Sequence, residues 1–185
     1  MIWEVWTGFI AELSSSRSFR ESSIFDEQFV VRTSRLALRK AQIADVSALS
    51  AIWGDVNVRR YLGGAISADE AIRRTQSRVE AGELCTVHLF DDERIVGCID
   101  VRDRSNRELE ISYLFGVDAW GYGYATEAIS AVINELRGKF EGYEMIAKTQ
   151  AANLPSRRLL ERIEFRMRRE IVEFGELQAI YGRRL

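Results

Sequence analysis

Residues 108–138 constrain the fold more than any other stretch of the chain. An alternating apolar run over 108–115 leads through Gly116-Val117-Asp118-Ala119-Trp120-Gly121-Tyr122-Gly123-Tyr124-Ala125 into a helix predicted over 126–138, where Ala128, Ile129, Val132, Ile133 and Leu136 share one face. Strand, glycine loop and helix in that order set the unpaired N–H groups of a first helical turn beside pliable backbone, a layout suited to an anion and above all to a pyrophosphate. The loop alone does not decide the matter, because Gly-x-Gly-x-Ala also makes ordinary tight turns. A Walker loop needs Gly-Lys-Ser/Thr, which is absent. A dinucleotide fingerprint needs a third glycine where Thr126 stands, and it follows a first strand, whereas this loop follows several predicted antiparallel ones.

The rest of the chain reads as a mixed α/β series. Leu36-Ala37-Leu38-Arg39 alternates as a strand, and Asp45 is placed to cap a helix carrying Val46, Leu49 and Ile52. Ser67-Ala68-Asp69-Glu70 has the spacing of a capping box and predicts a helix to about residue 81. Two β-rich runs, 83–90 and 94–102, flank Asp91-Asp92-Glu93, a connection short enough for an antiparallel hairpin. A strand over 144–149 precedes a helix over 156–162, introduced by Asn153 and the only proline, Pro155. A terminal hairpin, 167–174 and 177–184, turns at Gly175. Residues 1–32 differ in character: Trp3, Val5, Trp6, Phe9, Ile10 and Leu13 precede a serine-rich tract. They are expected to form an appendage of uncertain order to a domain over 33–185, with Trp6, Phe9, Ile10 and Leu13 as one helix face that packs on the domain or makes a homodimer contact, or else a disordered segment.

Charge and composition exclude several functions. Lys+Arg 26 against Asp+Glu 28 leaves a net charge of −2, without the basic excess of a dedicated nucleic-acid binder. Cys85 and Cys98 lie in separate apolar runs, unlike a zinc set or a redox pair, and read as buried thiols. His88, the single histidine, has no second imidazole to share a metal and reads as an ordinary strand residue, so no metal is expected. No apolar run is long enough for a membrane helix and no basic region precedes the first apolar stretch, so a soluble, cytoplasmic protein is expected.

Several segments in sequence order resemble the GNAT superfamily of acyl-CoA-dependent N-acetyltransferases, and within it the RimJ/RimL-type branch. Ser34-Arg35-Leu36-Ala37-Leu38-Arg39 is similar to that branch's opening strand, and Glu110-Ile111-Ser112-Tyr113 to its acidic central strand. Trp120-Gly121-Tyr122-Gly123-Tyr124-Ala125-Thr126-Glu127-Ala128 is the most specific match, and the segment from Asn153 to Phe165 resembles the family's second motif. The resemblance covers about residues 34–185. It departs from the family pattern at Trp120, where many members carry Gln or Arg, and at Ser112 and Glu164, where glycine is usual.

This resemblance implies an α/β (α+β) fold: a mixed, mostly antiparallel central sheet, helices on both faces, and a splayed central strand pair. It implies acetyl-CoA as co-substrate, without a metal. The pantetheine would pair with the backbone of Leu114 and Phe115, and the pyrophosphate would rest on Trp120, Gly121, Tyr122, Gly123, Tyr124, Ala125 and Thr126. Asn153 would bond the pantetheine arm and Arg158 the phosphates. Glu110 matches the acidic position expected to take the amine's proton, a step required because an aliphatic amine of pKa about 10.4 is protonated at neutral pH. Ser156 matches the serine placed to protonate the departing thiolate, although a residue at a helix start also serves as a cap. Glu127 is expected to brace the loop, and the arginines from 157 to 169 to be solvated or paired with Glu161 and Glu164. The implied acceptor is a primary amine, on a small molecule or a protein N-terminus, with neither nucleic acid nor membrane as partner. A non-catalytic acyl-CoA-binding module, and an interaction module assembled through the N-terminal appendage, are the competing readings.

Overall fold

Residues 24–185 are described by the computed structural model. In chain order they form β1 (Val30–Arg32), β2 (Leu36–Lys40), α1 (Val46–Gly54), α2 (Ala68–Glu80), β3 (Leu84–Leu89), β4 (Ile95–Asp103), β5 (Glu108–Phe115), α3 (Tyr124–Arg137), β6 (Glu144–Gln150), α4 (Leu154–Arg162), β7 (Arg166–Glu173) and β8 (Glu176–Arg184). The apolar stretch Trp3, Trp6, Phe9, Ile10 and Leu13, with its expected packing or dimer role, lies outside the described residues.

Capping chemistry sets the helix starts, in places differently from expectation. The Ser67 side chain accepts the Glu70 N–H, but the second half of the box is not made. The Glu70 carboxylate binds Arg73 and Arg74 one turn on instead, where full opposite charges outweigh a reach back to one N–H. Asp45 stands at the N-cap of α1 without capping it. Its carboxylate accepts from Gln42 N at 2.7 Å and from both terminal nitrogens of Arg39 at 2.8 Å. Burial works against the ionised form of Asp45, but these bonds outweigh it and hold the carboxyl below its ordinary range.

The eight strands make one sheet in the order β1-β2-β3-β4-β5-β6-β8-β7. Only β5 and β6 run parallel; the other neighbours are antiparallel. One face carries α3 and α4 over the larger core, in which Leu109, Ile111, Ile129, Ile133, Met145 and Tyr181 are fully buried or nearly so. The other face carries α1 and α2, where Leu49, Trp53, Ala71 and Val79 close over Leu84 and Cys98. Each fully buried aliphatic or aromatic side chain contributes about 1.5–3 kcal/mol, so the two clusters fix which way every strand faces.

Packing continues across position 32, where the appendage was expected to end: Phe25 and Phe29 are core residues, and β1 pairs with β2. A three-residue strand is too short to show alternation. Helix α3 begins at Tyr124, two residues before the expected start at 126, because Gly123 turns the chain at φ +80° and frees Tyr124 to enter the helix. Glu164, in the place of a usual glycine, holds φ +68°, and its carboxylate pairs with Arg183 at 2.9 Å.

At the centre, β4 passes β5 with little clearance. A Cβ on Gly97 would lie 2.6 Å from the Leu114 carbonyl oxygen and 2.6 Å from the Phe115 ring. Gly97→Ala should therefore destabilise the protein by about 1–3 kcal/mol, read as a lower urea midpoint at an unchanged slope. An unshifted midpoint would show that the two strands have slack.

Candidate active site

β5 parts from β6 beyond a short shared register. They share a register only at Glu108↔Glu144, Leu109↔Met145 and Glu110↔Ile146. Beyond that, β5 stays bonded to β4 as far as Phe115, and β6 to β8 as far as Gln150. The bonds at the ends of β5 show which of its peptide groups face the gap. Arg104 N–H donates to the Glu108 carbonyl at 2.9 Å, and Gly116 N–H donates to Val96 at 3.0 Å. In an unbroken antiparallel register, even-numbered residues of β5 therefore point their N–H and C=O toward β4, and Ile111, Tyr113 and Phe115 point theirs into the gap.

This corrects the expectation for Leu114. Its backbone is turned to Cys98 on β4, and its side chain packs under α1 and α2. Phe115 does face the gap, but its carbonyl accepts the Trp120 indole N–H at 2.9 Å. On β6, Ala151 N–H bonds Leu177 on the β8 side, so Lys148 and Gln150 present their backbone to the opening. Two strand edges with peptide groups turned inward suit an extended ligand that brings amides of its own.

The glycine loop lies at the mouth of this gap. Gly121 and Gly123 hold φ +81° and +80°, conformations that strain any L side chain, and a Cβ on Gly121 would meet nothing within 4 Å. Glycine is needed here for the backbone path, and space is left in front of it. No side chain caps α3, so the N–H groups of its first turn, Tyr124, Ala125 and Thr126, face outward. Tyr122 is exposed and stacks on Tyr124 at 5.5 Å between centroids.

Glu127 ties this loop to the far half of the sheet. It accepts from Thr33 Oγ1, from Arg35 N at 3.2 Å and from Arg35 Nε at 2.8 Å. Arg35 also donates to the Tyr122 carbonyl at 3.0 Å and lies 4.7 Å from the Tyr124 ring centroid. Burial pushes the Glu127 carboxyl up, but the Thr33 and Arg35 bonds more than reverse this and hold it below the usual glutamate range.

The two expected catalytic side chains occupy opposite faces. Glu110 is on the α1/α2 face, where Arg104 binds its Oε2. Farther along that face, Ser112 Oγ lies 3.4 Å from Asp100 Oδ2, in a cluster where Asp100 also meets Arg78 and Arg102. Burial, helped by the like charge of Arg102, lowers Arg78 to about 10. On the α3/α4 face, Ser156 Oγ lies 2.9 Å from the Tyr113 hydroxyl.

Asn153 caps α4, its Oδ1 accepting from Ser156 N at 3.3 Å, so the Ser156 hydroxyl is not spent as the helix cap. Arg158 is exposed and has no ion pair among the described residues, whereas Arg157 donates to the Tyr181 hydroxyl at 3.0 Å and to the Ala151 carbonyl at 3.1 Å. Helical pairing of the arginines with Glu161 and Glu164 is not made: Glu161 accepts from Tyr181, and Glu164 takes Arg183 from β8.

Elsewhere the reactive residues are enclosed. His88 is held between the Glu93 carbonyl at 3.0 Å and Thr86 Oγ1 at 2.8 Å. Cys85 and Cys98 are buried in different clusters, and burial pushes both thiols up. Among the described residues no group of His, Cys, Asp or Glu is placed to hold a metal ion, and no helix is long and apolar enough to cross a membrane.

Known proteins resemble this chain in sequence and in fold. A family model described as an acetyltransferase (GNAT) domain matches residues 35–166. The chain is 28% identical over 142 residues to the uncharacterized N-acetyltransferase p20 of Bacillus licheniformis, covering 72% of this chain and 80% of p20. A GNAT-family acetyltransferase structure from Bacillus anthracis superposes with a TM-score of 0.77 at 22% identity, over 84% of this chain and 98% of that one. RimL, a ribosomal L7/L12 alpha-N-protein acetyltransferase solved with coenzyme A, superposes with a TM-score of 0.68 at 18% identity, over 85% of this chain and 98% of its own.

The charge on Glu127 should be measurable as stability. Its depressed carboxyl stabilises the fold fully above the ordinary glutamate range, and the contribution is lost as pH falls through the lowered value. Glu127→Gln should lower the melting temperature at neutral pH, and the gap to the wild type should close in acid. A gap that persists in acid would assign the effect to shape instead of charge.

Proposed function

Because the chain belongs to the GNAT acetyltransferase family, we propose that it carries an acetyl group from acetyl-CoA to a primary amine, on a small molecule or a protein N-terminus, by direct attack in a ternary complex. The observation that carries this reading is the parted β5 and β6 edge opening beside an uncapped, glycine-led helix start. Acetyl-CoA supplies the activated thioester.

The chain's own residues would act as follows. The gap-facing peptide groups of Tyr113 and Phe115 take the pantetheine amides, in place of the Leu114 groups spent on β4. The loop from Trp120 to Thr126 receives the pyrophosphate, with its N–H groups and the positive end of α3 directed at it. The Asn153 amide N–H₂, whose oxygen is already used by Ser156 N, donates to the pantetheine arm, and the unpaired Arg158 reaches the phosphates. Arg104 holds Glu110 by Oε2, leaving Oε1 to take the proton of the incoming ammonium. Ser156 serves as the acid facing the departing sulfur. Much of the acceleration comes from holding amine and thioester in one place.

Calorimetry with acetyl-CoA, followed by a thiol-release assay on a tripeptide with a free N-terminus, glucosamine and spermidine, tests this reading. Micromolar binding should weaken at least about tenfold in Gly123→Trp, where a bulky residue enters the pyrophosphate loop. In the amine that turns over, Glu110→Gln and Ser156→Ala should each lower kcat by roughly 100-fold. Failure of the folded protein to bind acetyl-CoA would overturn the proposal. Binding without thiol release on any amine would favour the non-catalytic module.

A further inference from the structure

Tyr113 lies on β5 beyond the last rung shared with β6, and its hydroxyl crosses the opening to the first turn of α4. Ser156 Oγ, at 2.9 Å, is its one hydrogen-bond partner among the described residues. The ring packs against the larger core, and burial pushes the phenol up to about 12, so it remains neutral and keeps its proton near physiological pH.

Two hydroxyls share this contact, and only one proton can lie between them. An O–H turned away from water with no acceptor costs about 1–3 kcal/mol when fully buried and less at a half-buried position such as Tyr113. Tyr113 has no other acceptor among the described residues, so the favoured arrangement has Tyr113 donating and Ser156 accepting. Ser156 is only half-buried, and its backbone N–H is already held by Asn153. Its own hydroxyl proton is then the one left to point away from Tyr113.

We infer that Tyr113 is a positioning residue: by occupying one lone pair of Ser156 Oγ, it keeps the Ser156 proton aimed at the departing sulfur. The inference rests on the role proposed for Ser156. Without the phenol, the serine hydroxyl would be free to rotate among its staggered positions and to turn to a carbonyl one turn back in α4. The loss expected from three such positions is roughly threefold, rising to about tenfold if the back-bonded position is preferred.

A double-mutant cycle tests this with acetyl-CoA and whichever of the three amines the wild type acetylates fastest. Tyr113→Phe should lower kcat about 3- to 10-fold, with KM, acetyl-CoA affinity and melting temperature little changed. Added to Ser156→Ala, it should cause no further loss, because the residue it acts through is gone. An unchanged kcat in Tyr113→Phe, or losses that multiply in the double variant, would overturn the inference while leaving the acetyltransferase reading intact. Absence of wild-type turnover would overturn both.

A second measurement does not depend on the Tyr113 variant folding. In protein labelled at tyrosine Cζ and dissolved in equal H₂O and D₂O, one slowly exchanging hydroxyl should appear as a split carbon signal that Ser156→Ala shifts or collapses. If no Ser156-sensitive signal is present, Tyr113 does not donate and the inference fails.

Discussion

The site depends on a mismatch in strand pairing. β5 is bonded to β4 along its whole length and β6 to β8 along its whole length, yet β5 and β6 meet over only three register pairs. The ladders to β4 and β8 use the even-numbered residues of β5 and the odd-numbered residues of β6, which leaves the remaining peptide groups of both strands turned to the gap. Buried peptide groups need partners, and an opening lined with inward-facing N–H and C=O groups is therefore a standing demand for a polar, extended ligand. The lack of a side chain at Gly97 lets β4 pass close under Leu114 and Phe115.

Two contacts hold the mouth of the opening in shape. The Trp120 indole N–H occupies the Phe115 carbonyl and so sets where the loop departs from the strand. Arg35 and Glu127 bind the start of β2 to the first turn of α3, joining residues 92 apart in sequence. These two contacts add to the loop's own turn bonds, Ala119 N–H to the Gly116 carbonyl and Trp120 N–H to the Val117 carbonyl, in setting its position. Trp120 thus has a mechanical role, filled by its indole N–H, that does not depend on contact with a ligand.

Much of this architecture was legible in the sequence because it rests on local pattern. The run over 108–115 alternates, those from 84 to 103 are rich in β-forming residues, α3 has an unbroken apolar face, and Asn153 with Pro155 marks the start of α4. Peptide direction was harder to read. Leu114 and Phe115 look equivalent in sequence, and only the pairing of β5 with β4 shows that one turns away from the gap and the other toward it. The Arg78, Asp100 and Arg102 cluster and the Tyr113–Ser156 bond were also not legible, since each joins side chains from separate elements. β1 and the core residues Phe25 and Phe29 left too short a periodic signal.

The departures from the family pattern become intelligible through their partners. Ser112, at a usual glycine, brings a hydroxyl up to the buried Asp100 and so adds to a charge cluster under α2 instead of leaving that face open. Glu164 occupies a left-handed conformation that glycine would adopt without strain, and Arg183 holds it there while donating to the Ile163 carbonyl at 2.6 Å. The arrangement across the sheet follows from strand geometry in the same way. Adjacent side chains of a strand point to opposite faces, so Glu110 falls on one side of β5 while Tyr113, with Ser156 beyond it, falls on the other. Groups on opposite faces can act on one reaction only where the sheet is open. On the roles proposed for Glu110 and Ser156, the reacting atoms must therefore lie within the gap between β5 and β6, with amine and sulfur served from opposite sides.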